Sequence, residues 1–401
     1  MMPHTLAQSV EILTTVLAVA GMGYFLASMV AARVFLAIRR RRLSAFAPDV
    51  SILKSLKGLD PGMLDAFRSH CLQSYAGEYE LLFGVTSLED PAFEAVRQLM
   101  TEFPERAIRL IECPARLGTN GKVSTLAQLA TQARYDHLLV NDSDITVGPR
   151  YLERVMRCFA PSQLTGEAAH GRTAMPVGLV TALYRGRAHE TLASRFEALG
   201  IATDFMAGVL LSRLIEGGLS YGLGSTLAVS REALDRIGGF LTLVDHLADD
   251  YELGAHVARA GYGVALSAEV VETSIPAYNW RGFADHQLRW ARTVRDASPW
   301  GYIGLVFTHG LCWALLNVLA SGLSPLSIWL LGMSFFLRLT LAMMVGAEML
   351  GDHQVLPNLW LLPLRDVVAM GVWVAGLAGH TIVWRGERFE LKDGKLHRED
   401  T

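Results

Sequence analysis

With 401 residues, 51% of them hydrophobic and only 19% charged, and a mean hydropathy of +0.29, the chain is too apolar for an ordinary water-soluble protein of its size. Charge is concentrated between about Arg39 and Arg295, which implies one soluble domain held between membrane segments and excludes a disordered, collagenous or all-membrane chain. A net charge of -3 and a pI near 6.5 provide no basic field for nucleic acid. Four dispersed cysteines without a CxxC pair indicate neither a zinc site nor a disulfide scaffold, as expected of a reduced, cytoplasmic setting.

From Val10 to Ile38 the chain is apolar apart from Glu11 and Arg33, longer than the roughly 20 residues that span hydrocarbon. Arg39 to Arg42 follow this stretch, the reverse of a cleavable signal peptide, so residues 1–38 are expected to be an anchor with the N-terminus outside and the following domain inside. A second apolar block, about Tyr302 to Val345, is broken at Ser321–Pro325 and reads as a helical hairpin. A third, about Leu359 to Trp384, contains Pro363, Arg365 and Asp366. A single crossing there would put the basic tail Arg385, Arg388, Lys392, Lys395 and Arg398 outside, so part of it is expected to be re-entrant or interfacial. Arg338 and Glu348 are expected to snorkel or lie at the interface, with a buried functional pair as the alternative.

Between the anchor and the hairpin, residues 39–300 alternate short β-prone runs with helical stretches such as Asp90 to Phe103. The runs are Val50–Leu53, Tyr79–Val85, Ala107–Glu112, His137–Val140 and Val177–Thr181. This alternation predicts an α/β domain with parallel strands and crossover helices, and ligands at the strands' carboxyl ends.

Asp142-Ser143-Asp144 follows one such strand. Two carboxylates at that spacing can reach one Mg²⁺ or Mn²⁺ bound with a pyrophosphate; an Asx turn is the alternative. Asp249-Asp250 opens the amphipathic stretch Tyr251 to Ala260, either as helix-capping charge or with one carboxylate as a general base. In His286-Gln287-Leu-Arg289-Trp290, Arg289 offers a fork of donors to phosphate and Trp290 a face for a sugar or lipid, or the pair belongs to the membrane surface. The Gly118-Thr-Asn120-Gly-Lys122 turn lacks the first glycine of a Walker loop, where Arg116 stands. It suits either a nucleotide diphosphate or a solvated turn.

These elements, in this order, resemble the ceramide glucosyltransferase family, membrane-anchored relatives of the family 2 glycosyltransferases with a GT-A fold. The likeness runs from Ile52-Leu-Lys-Ser-Leu-Lys57-Gly58-Leu-Asp60-Pro61 through Glu89-Asp90-Pro91, Gly118-x-Asn120-x-Lys122, Asp142, Gly222-Leu-Gly224-Ser-Thr226 and Ala248-Asp-Asp250-Tyr251 to the tail Trp384–Leu391. The resemblance implies a GT-A domain with a central, mostly parallel sheet inserted between transmembrane helices. It places Lys57, Asp90, Lys122, Asp142, Arg289 and Trp290 at a UDP-sugar, a Mg²⁺ or Mn²⁺ on Asp142 and Asp144, Asp250 as catalytic base, and Asp249, His286 and Gln287 near the sugar or the acceptor.

His286 stands where the family has glutamine or arginine, Ser55 where proline is common, and Thr125 where asparagine is common. The stretch Thr191 to Leu211 reads Ala202-Thr-Asp204-Phe205-Met206 where eukaryotic members keep an active-site histidine. Within the family the chain looks most like the bacterial hopanoid-biosynthesis branch, which implies transfer of N-acetylglucosamine to bacteriohopanetetrol from a cytoplasmic domain at the bacterial inner membrane. Ceramide glucosylation is the alternative, followed by a polysaccharide synthase or a catalytically idle lipid-binding scaffold. Residues 301–384 are then the C-terminal membrane helices and 385–401 a cytoplasmic basic tail.

Overall fold

The computed structural model describes residues 4–39, 45–160, 164–165, 175–384 and 387–398. Arg40, Arg41, Arg42 and Arg385, to which topology roles were assigned, lie outside them. The chain divides into two compact units. One comprises the N-terminal helix, Ala188–Leu211 and Ala277–Arg388; the other comprises residues 45–187, Ser212–Pro276 and 389–398.

The second unit is an α/β domain. Its strands are β1 (Val50–Ser55), β2 (Tyr79–Val85), β3 (Ala107–Glu112), β4 (His137–Val140), β5 (Ile145–Thr146), β6 (Leu164–Thr165), β7 (Met175–Arg187), β8 (Leu227–Ser230) and β9 (Gly263–Ser274), in the order β3-β2-β1-β4-β8-β7-β9-β5 with β6 against β7. The five expected strands are all present. Pairs β1–β2, β2–β3, β1–β4 and β7–β9 are parallel, and β1 and β2 are buried almost throughout, the continuous apolar reading of a sheet covered on both faces.

Two antiparallel pairings position the site. The entry of β8 lies at the exit of β4, Leu227 opposite Val140, which carries the glycine-rich segment before β8 to the aspartates that follow β4. Likewise β5 pairs with the end of β9, Ile145 opposite Thr273. The C-terminal stretch is more than a tail: strands Glu387–Lys392 and Lys395–Arg398 pair antiparallel around Asp393-Gly394.

The first unit is helical. Helix α1 (His4–Arg39) is an expected span, and helices Leu192–Glu216, Pro325–Met349 and Val355–Gly376 are also long and apolar enough to cross a membrane. At Gly21 an added Cβ would lie 2.2 Å from Cα of Gly310, so these two glycines permit backbone-close crossing of α1 by the helix Gly310–Ala320. Asn317 on the latter donates to Glu11 O, Thr14 and Thr15 of α1.

Four features differ from the sequence reading. The first arm of the expected hairpin is two pieces, Pro299–Thr308 and Gly310–Ala320, bent by 58° at His309. The third apolar segment stops being helical at Gly376, before a strand at Thr381–Trp384, since Gly379 adopts a positive φ of 77° that ends a helix. The stretch Thr191 to Leu211 is an apolar helix interrupted by a π-helical segment, Ile201–Phe205. Arg338 does not snorkel: it is 3% exposed, and its partner is Asp366, not Glu348. The guanidinium meets both Asp366 carboxylate oxygens at 2.8 and 2.9 Å and also donates to Thr203 O and Oγ1. A fully engaged guanidinium fork has no need of water.

Candidate active site

The helix Gly121–Gln132 begins at the Gly118–Lys122 turn. The Asn120 side chain accepts from Val123 N and donates to His246 O at 2.8 Å, an N-cap that fixes Lys122 in the first helical turn. Its ammonium lies 2.8 Å from Asp142 Oδ1 and 3.3 Å from Asp249 Oδ2. Burial alone would lower the Lys122 pKa; Asp142, Asp249 and Asp250 outweigh that and hold it above the ordinary lysine range.

Asp249 and Asp250 open the helix Asp249–Arg259, and Asp250 Oδ1 accepts from Tyr251 N at 2.8 Å. A Cβ added at Gly224 would come within 3.1 Å of Asp250 Oδ2 and 3.8 Å of Asp142 Oδ2. The two carboxylates therefore face one another across a glycine that any side chain would crowd. Burial first, and then Asp249, push the Asp250 carboxyl up to about 6, against the pull of Lys122.

The aspartate loop after β4 is held from several sides. Asn141 is buried, donating to Tyr151 Oη and Ser225 O and facing His70 Nε2 at 3.2 Å. The main-chain carbonyl of Asp142 accepts from Lys54 Nζ at 3.0 Å, and Ser143 Oγ donates to Asp60. Asp144 turns towards β9, accepting from Thr273 Oγ1 and from Ser274 N at 3.2 Å; burial and then Asp142 push its carboxyl up to about 6.

Lys122, Asp142, Asp249 and Asp250 therefore converge, and Asp144 flanks them from the same loop. Asp90 is engaged otherwise, accepting from Gly58 N at 2.9 and 3.1 Å and from Ala92 N at 2.9 Å. It ties the β1 loop to the start of the helix Ala92–Glu102. Lys57 is exposed on that same loop.

In the helical unit, the helix Trp280–Ala297 carries the whole His286–Trp290 motif. His286 Nδ1 and Gln287 Nε2 meet Glu197 Oε2 at 3.1 and 3.4 Å. Trp290 packs near His286 and Phe205, and Arg289 lies on the same helix, half-buried.

Three participants carried no clear signal in the sequence. Lys54 is fully buried but reads as one alternate residue of a strand; burial lowers its pKa to about 7 despite Asp142 and Asp144. Gly224 belongs to the Gly222–Thr226 stretch of the family resemblance, but its place between two carboxylates shows only in the fold. Glu197, 3% exposed, lies 89 residues from its partner His286.

Oxygen donors dominate the cleft: Asp142, Asp144, Asp249 and Asp250 outnumber the ammoniums of Lys122 and Lys54. Excess negative charge with oxygen-only donors fits Mg²⁺ or Mn²⁺. Among the described residues no three His, Cys, Asp or Glu side chains form a closed cage. Magnesium in particular needs only one or two carboxylates when substrate phosphates complete its shell.

The fold is that of a GT-A-like glycosyltransferase. A mannosyltransferase from Pyrobaculum calidifontis, solved in complex with GDP-Man and Mn²⁺, matches 92% of this chain and 97% of its own with a TM-score of 0.52 at 17% identity. The chain belongs to glycosyl transferase family 21, whose profile matches residues 13–397, as the resemblance implied. Ceramide glucosyltransferase 3 of Caenorhabditis elegans is 28% identical over 86% of this chain and 73% of its own length. Ceramide glucosyltransferase 1 of the same organism is 24% identical over 86% and 72%.

Proposed function

We propose that the protein is a membrane-bound inverting glycosyltransferase that moves a sugar from a UDP-sugar to the hydroxyl of a membrane lipid. The observation that carries this is the meeting of Lys122 with Asp142 and Asp249, and of Asp142 with Asp250 at Gly224. Such a cleft holds a cation and a diphosphate beside a carboxylate able to take a proton.

Asp142 and Asp144 would hold a Mg²⁺ or Mn²⁺, which supplies charge neutralisation to the departing UDP. Lys122 donates to the diphosphate, and Asp250 accepts the proton of the attacking hydroxyl as that oxygen closes on the anomeric carbon from the face opposite UDP. One displacement of this kind inverts the configuration. By the resemblance alone, Lys57, Asp90, Arg289 and Trp290 are assigned to the donor, and Asp249, His286 and Gln287 to the sugar or the acceptor.

The donor and acceptor are N-acetylglucosamine and bacteriohopanetetrol, from a catalytic domain on the cytoplasmic side of a bacterial inner membrane. This follows the resemblance to the hopanoid branch and the basic residues after α1. Glucose and ceramide form the second reading, favoured by the names of the Caenorhabditis elegans relatives. Detergent-solubilised protein given UDP-N-acetylglucosamine or UDP-glucose with either lipid tests both. One glycolipid product, reduced at least about 10²-fold in Asp250→Ala, is expected. Hydrolysis without transfer to any lipid, or full activity of that variant, counts against the proposal.

A further inference from the structure

The apolar helices enclose a charged cluster that the proposed chemistry does not use. Arg338 is paired with Asp366 and Thr203, and Arg365 Nη1 lies 2.7 Å from Asp204 Oδ2. Thr203 and Asp204 sit on the π-helical segment Ile201–Phe205, a distortion found frequently at functional sites. Arg365 lies flat against Gly200, where a Cβ would fall 2.2 Å from its Nη2. His309, at the bend before the helix Gly310–Ala320, lies 5.6 Å from the ring of Trp373, on the helix Leu362–Gly376 that also carries Arg365 and Asp366. It is 8% exposed, and its Nε2 has no hydrogen-bond partner among the described residues.

Two observations point to a ligand. Buried ion pairs are weak devices for stability, and ionisable side chains inside apolar helices mark function more often than framework. A buried imidazole nitrogen left without a partner calls for a polar group from outside the chain. The cluster also selects the chemistry of that group: two guanidiniums and two carboxylates cancel, so no net charge awaits an ionic head. The helix bearing Asp204 carries Glu197 seven residues earlier, where His286 and Gln287 meet it.

We propose that His309, packed against the helix that bears Arg365 and Asp366, is a headgroup subsite for a neutral, hydroxyl- or amide-bearing lipid. His309 Nε2 hydrogen-bonds the head and thereby selects the acceptor. This inference rests on the lipid glycosyltransferase reading and deepens it.

The test uses full-length protein in nanodiscs and equilibrium binding of three probes: short-chain ceramide, bacteriohopanetetrol and phosphatidylglycerol. At least one neutral lipid should bind. His309→Phe should weaken that binding about tenfold, the scale of one buried hydrogen bond. His309→Gln, which keeps a polar group there, should restore it to within about threefold. Asp250→Asn should abolish transfer without altering lipid affinity. A diazirine derivative of the bound lipid should label peptides containing His309 or Arg365, a readout independent of whether His309→Phe folds.

Equal affinity in His309→Phe, preference for phosphatidylglycerol, binding of neither neutral lipid, or labelling only elsewhere would overturn the subsite. His309-dependent binding with no sugar transfer would sink the glycosyltransferase reading and leave the subsite standing. Transfer with unchanged acceptor KM in His309→Phe would do the reverse.

Discussion

The ammonium of Lys122 lies 2.8 Å from the carboxylate of Asp142 and tethers the first turn of the helix Gly121–Gln132 to the loop that follows β4. Lys122→Met should weaken UDP binding by about 10- to 100-fold, since a hydrogen bond to a charged group contributes about 1.5–3 kcal/mol. Competition titration with UDP measures it, and an unchanged Kd would show that Lys122 only neutralises its neighbours.

As the proposed base, Asp250 should set the acid limb of the rate profile. A base must be ionised, so kcat/KM should fall about tenfold per pH unit below about 6. Lys122 holds this carboxyl down, so Lys122→Met should move the limb to higher pH. The effect on stability has the opposite sense: the folded chain holds this proton more tightly than the unfolded chain, so the group's contribution declines as pH rises from 3.8 to about 6. A flat profile across that range would remove Asp250 from the base role.

Chelation should separate chemistry from folding. The aspartate loop is held by Lys54, Asn141, the Ser143–Asp60 contact and the bonds of Asp144 to β9. EDTA is therefore expected to abolish turnover, restored by Mn²⁺, while the melting temperature of the ligand-free protein stays within about 2 °C. A large fall in Tm would mean that a cation is part of the framework.

Lys54 is the buried support of that loop. Its pKa falls from 10.5 to about 7 in the fold, so the unfolded chain binds more protons between those values and stability should rise with pH across that window. Lys54→Met should remove this rise and leave the domain folded. It should also lower turnover by freeing the Asp142 carbonyl, whereas Lys54→Arg should recover part of it. Denaturant titrations at several pH values check the first claim, and initial rates the second.

Arg338 and Asp366 should behave as a unit. Arg338→Met alone leaves a buried carboxylate without its cation, at a cost of about 3–5 kcal/mol, whereas a matched apolar pair is often neutral. The double variant Arg338→Met/Asp366→Leu should accordingly be more stable than either single one in detergent. Additive losses would mean the two residues do not interact energetically.

The sequence by itself determined the parts that depend on local pattern. Apolar runs located β1, β2, β4 and β7, because strands covered on both faces are apolar along much of their length. Long apolar stretches located α1 and the Pro325–Met349 helix, and residue order identified the family. Lys122, Asp142 and Asp250 could be singled out because charged residues stood where strands and helices end.

Only the tertiary structure decided which charges meet. Asp142 and Asp250 face each other because β8 runs antiparallel to β4 and delivers Gly224 between them; Asp90 is drawn instead to Gly58 N. Arg338 found Asp366 across helices, a pairing that no spacing along the chain encodes. Burial of Lys54 and the nitrogen of His309 that has no hydrogen-bond partner among the described residues belong to the same class. Local pattern sets how each segment can bury its apolar face, whereas the company of a buried polar atom depends on neighbours tens to hundreds of residues away, which the packing of whole elements chooses.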